Sequence, residues 1–188
     1  GTKVLPTLMR GGTVHMLKGF DPEAVFKTIE RERINFTLLV PTMIYVMLDG
    51  PARQGADLSS LKLVIYGASP MSPARLIEGM KVFGPVFMQL YAQSEAPNTV
   101  TVLHQHEHDP ERPERLASCG TPCAGVLVRL LDDAGQEVAE GEVGEICVRG
   151  PLVMKGYWNK PDETAVALRH GWLYTGDMAR RDADGYLY

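Results

Sequence analysis

The sequence predicts an α/β chain: a parallel sheet with flanking helices up to residue 110, then a small antiparallel β-barrel-like unit from 111 to 188. Three observations carry that expectation. Short apolar runs at 36–40, 63–66 and 86–91 alternate with helical patterns, the arrangement that buries a parallel sheet under helices on both faces. The run Asp109-Pro110-Glu111-Arg112-Pro113 reads as a charged, proline-punctuated linker. Beyond it, Gly141, Gly144, Gly150, Gly156, Gly171, Gly176 and Gly185 divide the chain into short segments of β character.

The elements follow in order. Residues 21–33 read as a helix, with Asp21 as N-cap, Pro22 in the first helical position, and Val25, Phe26 and Ile29 on one face. Phe36 to Val40 is a buried strand by its length, stopped by Pro41. Thr42 is expected to cap a second helix carrying Ile44, Tyr45 and Leu48. After a polar loop at 50–57, Leu63 to Tyr66 forms a strand ending in Gly67. Ser72-Pro73 opens a helix through Met80, and Val86 to Tyr91 is a third buried strand. Past the linker, Val126 to Leu131 and Ile146 to Arg149 are strands. Between them, Asp132-Asp133-Ala134-Gly135 is a turn whose carboxylates bond their own backbone and whose glycine supplies a positive φ.

Composition narrows the function. With 188 residues, 45% apolar and 22% charged, the chain can build a sizeable core without disulfide staples. The net charge of −4 is spread in both signs, which argues against a nucleic-acid surface. It leaves room for an anionic ligand, since local amides and a few cations bind phosphate. Three cysteines, an odd number, point to a reducing compartment and so to the cytoplasm. Cys119 and Cys123 lack the second pair that a zinc site needs. No apolar stretch approaches the roughly 18–20 residues of a transmembrane segment, and no secretory pattern opens the chain. The start at Gly1 without methionine and the stop at Tyr188 inside a patterned segment read as two cut ends.

Three clusters carry candidate chemistry. Gly67-Ala68-Ser69-Pro70 follows a predicted strand, and ligands of open α/β sheets bind at the carboxyl ends of strands. The same residues also suit a plain strand-to-helix turn. Tyr91-Ala92-Gln93-Ser94-Glu95, at another strand end, offers an aromatic face, a hydroxyl and a carboxylate: stacking for a base, a bond to phosphate and a hard ligand for magnesium. Its plain alternative is a loop with one exposed Glu. In Gly171-Trp172-Leu173-Tyr174-Thr175-Gly176-Asp177, the Asp suits ribose hydroxyls or a turn equally. Neither GxxxxGK[ST] nor GxGxxG occurs. His104, His106 and His108 alternate as metal ligands on one strand face would, but a polar run leading into the linker reads better as a solvated loop.

Taken together and in order, these clusters resemble the adenylate-forming superfamily: acyl-CoA synthetases, firefly-type luciferases and the adenylation domains of peptide synthetases. Gly11-Gly12-Thr13-Val14 with Phe20-Asp21-Pro22-Glu23 resembles its GGTVV and FDPE stretch, and Leu39-Val40-Pro41-Thr42 its VPT segment. Tyr66 to Ser72 is similar to GGAPLS, with Ala68 and Ser69 in place of Gly and Ala; Tyr91 to Glu95 is similar to YGxTE. Gly141 to Ile146 with Arg149-Gly150-Pro151 resembles GEVGEI…RGP. Met154 to Trp158 resembles MxGYW, Tyr174 to Asp177 the Y-T-G-D signature, and Asp182 to Tyr186 DxDGY.

The resemblance implies a role for each residue. Tyr91 lies against adenine, and the backbone of Gly67, Ala68, Ser69 and Pro70 lines its edge. Ala92 stands where the family has Gly, which tightens backbone approach; Gln93 belongs to the same nucleotide-binding run. Ser94 stands at a phosphate-contacting Thr, Glu95 at a magnesium-linked Glu, and Asp177 bonds the ribose. ATP, Mg2+ and coenzyme A are the implied co-substrates and cofactor. The implied function is a fatty-acid or aryl-acid CoA ligase acting through an acyl-adenylate. Leu90, where many long-chain enzymes have Gly, points to a shorter or aryl acid. An adenylation domain loading a carrier protein and a non-catalytic nucleotide- or partner-binding module are the alternatives. A phosphate loop upstream, a hinge past Tyr188 and a C-terminal lysine domain are family parts expected outside this chain. The piece alone is therefore expected to be inactive, with apolar surface that invites self-association.

Overall fold

The computed structural model describes residues 3–188; Gly1, on which the reading of a cut start rests, lies outside them with Thr2. The elements are α1 (Val4–Met9), α2 (Pro22–Glu32), β1 (Phe36–Leu39), α3 (Pro41–Asp49), β2 (Leu63–Gly67), α4 (Pro73–Phe83), β3 (Phe87–Gln93), β4 (Ala96–Leu103), β5 (Thr121–Pro122), β6 (Leu127–Leu131), β7 (Val143–Arg149), α5 (Pro161–Ala167), β8 (Leu168–Arg169) and β9 (Trp172–Arg180). They form two sheets, one in the order β1-β2-β3-β4-β5 and one in the order β6-β7-β9-β8.

The first sheet begins parallel. Phe36 pairs with Leu63 and Val64 with Phe87 in the β1–β2 and β2–β3 ladders. Its helices start as their residues dictate: the Asp21 carboxylate accepts the Ala24 amide at 2.9 Å, and Pro22 fills the first position of α2. Thr42 is not the cap of α3. Pro41 already occupies its first turn, so Val40 is the N-cap, with no side-chain cap bond. Phe26, Ile44, Met47, Leu48, Leu76 and Phe87 are buried between the helices and the sheet, and Phe83 stacks on Phe26 with ring centroids 6.0 Å apart.

The sheet does not stay parallel. Strand β4, which the sequence reading passed over, returns antiparallel on β3 after a two-residue turn at Ser94 and Glu95, and β5 adds antiparallel to β4. Ala96 and Val100 of β4 leave the first core and join Val128, Leu130, Ile146, Val148 and Leu173 in the second. The β3–β4 hairpin thus belongs to one sheet by hydrogen bonds and to the other core by packing. The second sheet is antiparallel throughout and curls as strongly twisted antiparallel strands do.

His108 is buried at 6% exposure, not solvated. A short 3-10 turn at 105–107 carries it inward. Its Nδ1 lies 2.8 Å from the His104 carbonyl and its Nε2 3.0 Å from the Tyr66 hydroxyl. Among the described residues, no group of three or more His, Cys, Asp or Glu side chains could hold a metal ion. Cys119, Cys123 and Cys147 are free thiols, and burial first, then Glu145, pushes Cys147 up to about 12. Among the described residues no helix is long and apolar enough to cross a membrane. Val4, Leu5, Leu8, Met9, Met16 and Leu17 expose apolar side chains on and beside α1.

Candidate active site

The site gathers at the carboxyl ends of the parallel strands. Strand β2 ends at Gly67, paired with Leu90 on β3, so the Gly67–Pro70 turn lies beside Tyr91. That turn owes its shape to steric limits. A Cβ on Gly67 would overlap the Leu90 carbonyl oxygen, so only glycine allows the two strands this approach. The next residue, Ala68, has φ +69°, a left-handed conformation that disfavours any side chain. Ala68, Ser69 and Pro70 are exposed, and the turn closes where the Ser72 amide donates to the Tyr45 hydroxyl at 2.9 Å.

The second cluster occupies the hairpin. Tyr91, Ala92 and Gln93 are half-buried, Ser94 is exposed in the turn, and Glu95 follows it. The Tyr91 hydroxyl donates to Asp177 Oδ2 at 2.7 Å. Burial, reinforced by that carboxylate, raises the Tyr91 phenol well above its ordinary value, so it stays a protonated donor. Gln93 Nε2 donates to the same oxygen at 2.7 Å and also reaches the Thr175 carbonyl at 2.9 Å. Two donors on Oδ2 orient the exposed Asp177 carboxylate and leave Oδ1 without a hydrogen bond among the described residues.

Asp177 reaches that position through a β-bulge. Cys147 pairs with Tyr174 and Glu145 with Met178, so β9 carries two extra residues against β7. Gly176 at φ +75° makes the bulge possible. Side chains hold its polar groups: Gly176 N donates to Glu145 Oε1 at 2.8 Å, the Thr175 hydroxyl to the Ile146 carbonyl at 2.7 Å, and Asp177 N to the Thr175 hydroxyl at 3.1 Å. The bulge turns Asp177 away from the ladder and toward Tyr91 and Gln93.

The second and third sequence clusters therefore meet, with Asp177 joining the hairpin across more than eighty residues of chain, and the first adjoins them through the pairing of Gly67 with Leu90. Sequence reasoning placed Gln93 in the nucleotide-binding run but gave it no bracing role; here it holds Asp177. It assigned no role to Glu145 and Thr175, which hold the bulge. Tyr157, within the MxGYW run, donates its hydroxyl to Glu95 Oε1 at 2.6 Å. The run itself was the only signal for it.

The chain is similar to several known proteins. A family profile described as AMP-binding enzyme matches residues 1–158. The medium/long-chain-fatty-acid–CoA ligase FadD8 of Mycobacterium tuberculosis is 51% identical over 183 residues, 97% of this chain and 32% of that protein. A feruloyl-CoA synthase from an Amycolatopsis species is 42% identical over 188 residues, 100% of this chain and 37% of that one. The solved structure of the amide bond synthetase McbA from Marinactinospora thermotolerans superposes with a TM-score of 0.90 at 42% identity, covering 97% of this chain and 36% of that chain. The chain spans about a third of the length of each of these relatives.

Proposed function

This chain belongs to the AMP-binding enzyme family, and on that premise we propose that it supplies the adenosine-holding half of an ATP-dependent acid–thiol ligase acting through an acyl-adenylate. The observation that carries the reading is the convergence of Tyr91 and Gln93 on Asp177 Oδ2, beside the Gly67–Pro70 turn. In this reading the turn and the Tyr91 ring border adenine, and the Oδ1 of Asp177 accepts from the ribose hydroxyls. Ser94 directs its hydroxyl to phosphate. Glu95 fits magnesium: it offers a hard carboxylate oxygen, and Mg2+ is commonly held by one or two carboxylates together with substrate phosphates and water. When bound, the cation offsets charge on the phosphates.

The reaction has two halves. A carboxylate oxygen bonds to the α-phosphorus of ATP and the bond to the bridging oxygen breaks, releasing pyrophosphate. The sulfur of coenzyme A then bonds to the acyl carbon, loses its proton, and AMP departs. The residues named here bind and orient; such positioning and charge stabilisation account for much of the catalysis of transfer at phosphorus.

Fatty-acid and aryl-acid ligases both stand among the relatives, which supports an acid of one of these classes. Leu90, immediately before Tyr91, favours the shorter or aryl kind. The likeness to an amide bond synthetase supports a second reading, in which an amine takes the acyl group instead of the thiol. The three free thiols of this chain support a reducing compartment, the cytoplasm, for the full-length enzyme. The exposed apolar side chains about α1 support self-association of residues 1–188 taken alone, and that piece should form no acyl-CoA.

Acid-dependent exchange of labelled pyrophosphate into ATP by the full-length protein tests the reading. Exchange that requires a fatty or aryl acid, followed by product only with coenzyme A, is the expected result. No exchange with any acid would leave a non-catalytic nucleotide- or partner-binding module. Exchange followed by transfer only to an amine or to a carrier protein would replace the thiol ligase.

A further inference from the structure

We propose that Tyr157 is a positioning residue for Glu95: its hydroxyl takes one carboxylate oxygen and leaves the other directed at the cation that accompanies ATP. The proposal rests on Glu95 being the magnesium-linked carboxylate. Glu95 ends a two-residue turn, where a side chain with several rotatable bonds would otherwise sample many directions. Two bonds from one distant loop hold it. The Tyr157 hydroxyl donates to Glu95 Oε1 at 2.6 Å, and the Met154 amide donates to the Glu95 carbonyl at 2.7 Å.

Tyr157 is itself anchored. Its amide donates to Thr164 Oγ1 at 2.9 Å, and Thr164 Oγ1 donates to the Lys160 carbonyl at 2.7 Å, at the start of α5. Gly156 leaves room for the Thr164 side chain where a Cβ would crowd it.

An O–H donor on Oε1 makes a charge-assisted bond and removes that oxygen from competition for a cation. Glu95 is then a monodentate ligand with a fixed direction. That matters for Mg2+, which demands near-ideal octahedral geometry. The supporting tyrosine does for the carboxylate what outer hydrogen-bond partners do for metal ligands generally.

The test uses the full-length protein with Tyr157→Phe, Glu95→Gln and the double variant. Tyr157→Phe should raise the Mg2+ concentration for half-maximal rate by roughly three- to tenfold. It should weaken Mn2+ binding to the enzyme–ATP complex, read by electron paramagnetic resonance, by a similar factor. KM for ATP at saturating metal and the melting temperature should hold. In the Glu95→Gln background, Tyr157→Phe should add no further loss. An equal loss in both backgrounds would mean a merely structural role and would overturn the proposal, even if Tyr157→Phe weakens the fold. If Glu95→Gln lowers kcat but Tyr157→Phe leaves metal dependence unchanged, the positioning role falls and the magnesium reading stands. If Glu95→Gln leaves kcat unchanged, the magnesium reading falls and takes the proposal with it.

Discussion

Two turns meet at the site, and they are built differently. The turn Gly67–Pro70, which ends β2, takes its shape from its own backbone and the adjoining strand: no Cβ fits at Gly67, and Ala68 adopts a left-handed φ. The bulge Thr175–Asp177 in β9 takes its shape from partners elsewhere in the chain. Glu145, Ile146, Tyr91 and Gln93 hold its amide, hydroxyl and carboxylate. The first is local sterics; the second is a distributed hydrogen-bond network. They should therefore respond to substitution in different ways.

The largest effect is expected at Gly67. Gly67→Ala drives a methyl into the Leu90 carbonyl, and β2 and β3 must separate. A loss of about 3 kcal/mol or more in urea unfolding is expected. A loss below about 1 kcal/mol would show that the strands tolerate the methyl, and that space does not govern this turn.

Ala68 sharpens the comparison from the other side. It stands where the resembled motif has Gly, and its φ of +69° is one that side chains disfavour. Ala68→Gly should stabilise by about 1 kcal/mol, the left-handed cost relieved less the extra freedom of glycine in the unfolded chain. Thermal melts measure this. An unchanged or lower melting temperature would mean that the strain at Ala68 is already compensated.

The contrast also explains what could be read beforehand. Gly67–Pro70 and Tyr91–Glu95 were legible as candidates because ligands of parallel sheets bind at strand ends and both motifs are contiguous. Asp177 was legible as a candidate, but its brace was not: Tyr91 and Gln93 reach it across 86 and 84 residues, and no periodicity records such a bond. Strand β4 was hidden by Pro97 and Asn98, which signal a turn. Asn98 in fact sits at φ +76° where the β3–β4 register shifts. Thr42 was misread because Pro41 and Thr42 both suit a helix start, and proline took the first turn. His108 looked solvated because its neighbours are polar, yet the short helix turns it onto Tyr66.

His108 gives the smallest effect, beneath the local turn. Burial lowers its pKa below the ordinary 6.5, against the opposing pull of the His104 carbonyl and Glu107. The folded state keeps the imidazole neutral, so the unfolded chain takes up the proton first as pH falls. Stability from this group is full above pH 6.5 and declines below it until the folded-state value is reached. The slope is at most about 1.4 kcal/mol per pH unit. Urea midpoints at about pH 7.5 and about pH 5.5 should differ in the parent protein and differ less in His108→Gln. The same difference in both would remove His108 as the cause.

The most direct test of a nucleotide site shared by both sheets is steady-state kinetics of full-length Asp177→Ala against varied ATP, at saturating magnesium and acid. A carboxylate that grips ribose holds ATP, the transition state and AMP alike, so the loss should fall on KM. A rise of roughly ten- to a hundredfold in KM for ATP with kcat nearly unchanged is predicted. An unchanged KM would contradict it and return Asp177, with its brace of Tyr91 and Gln93, to a purely structural joint between the two sheets.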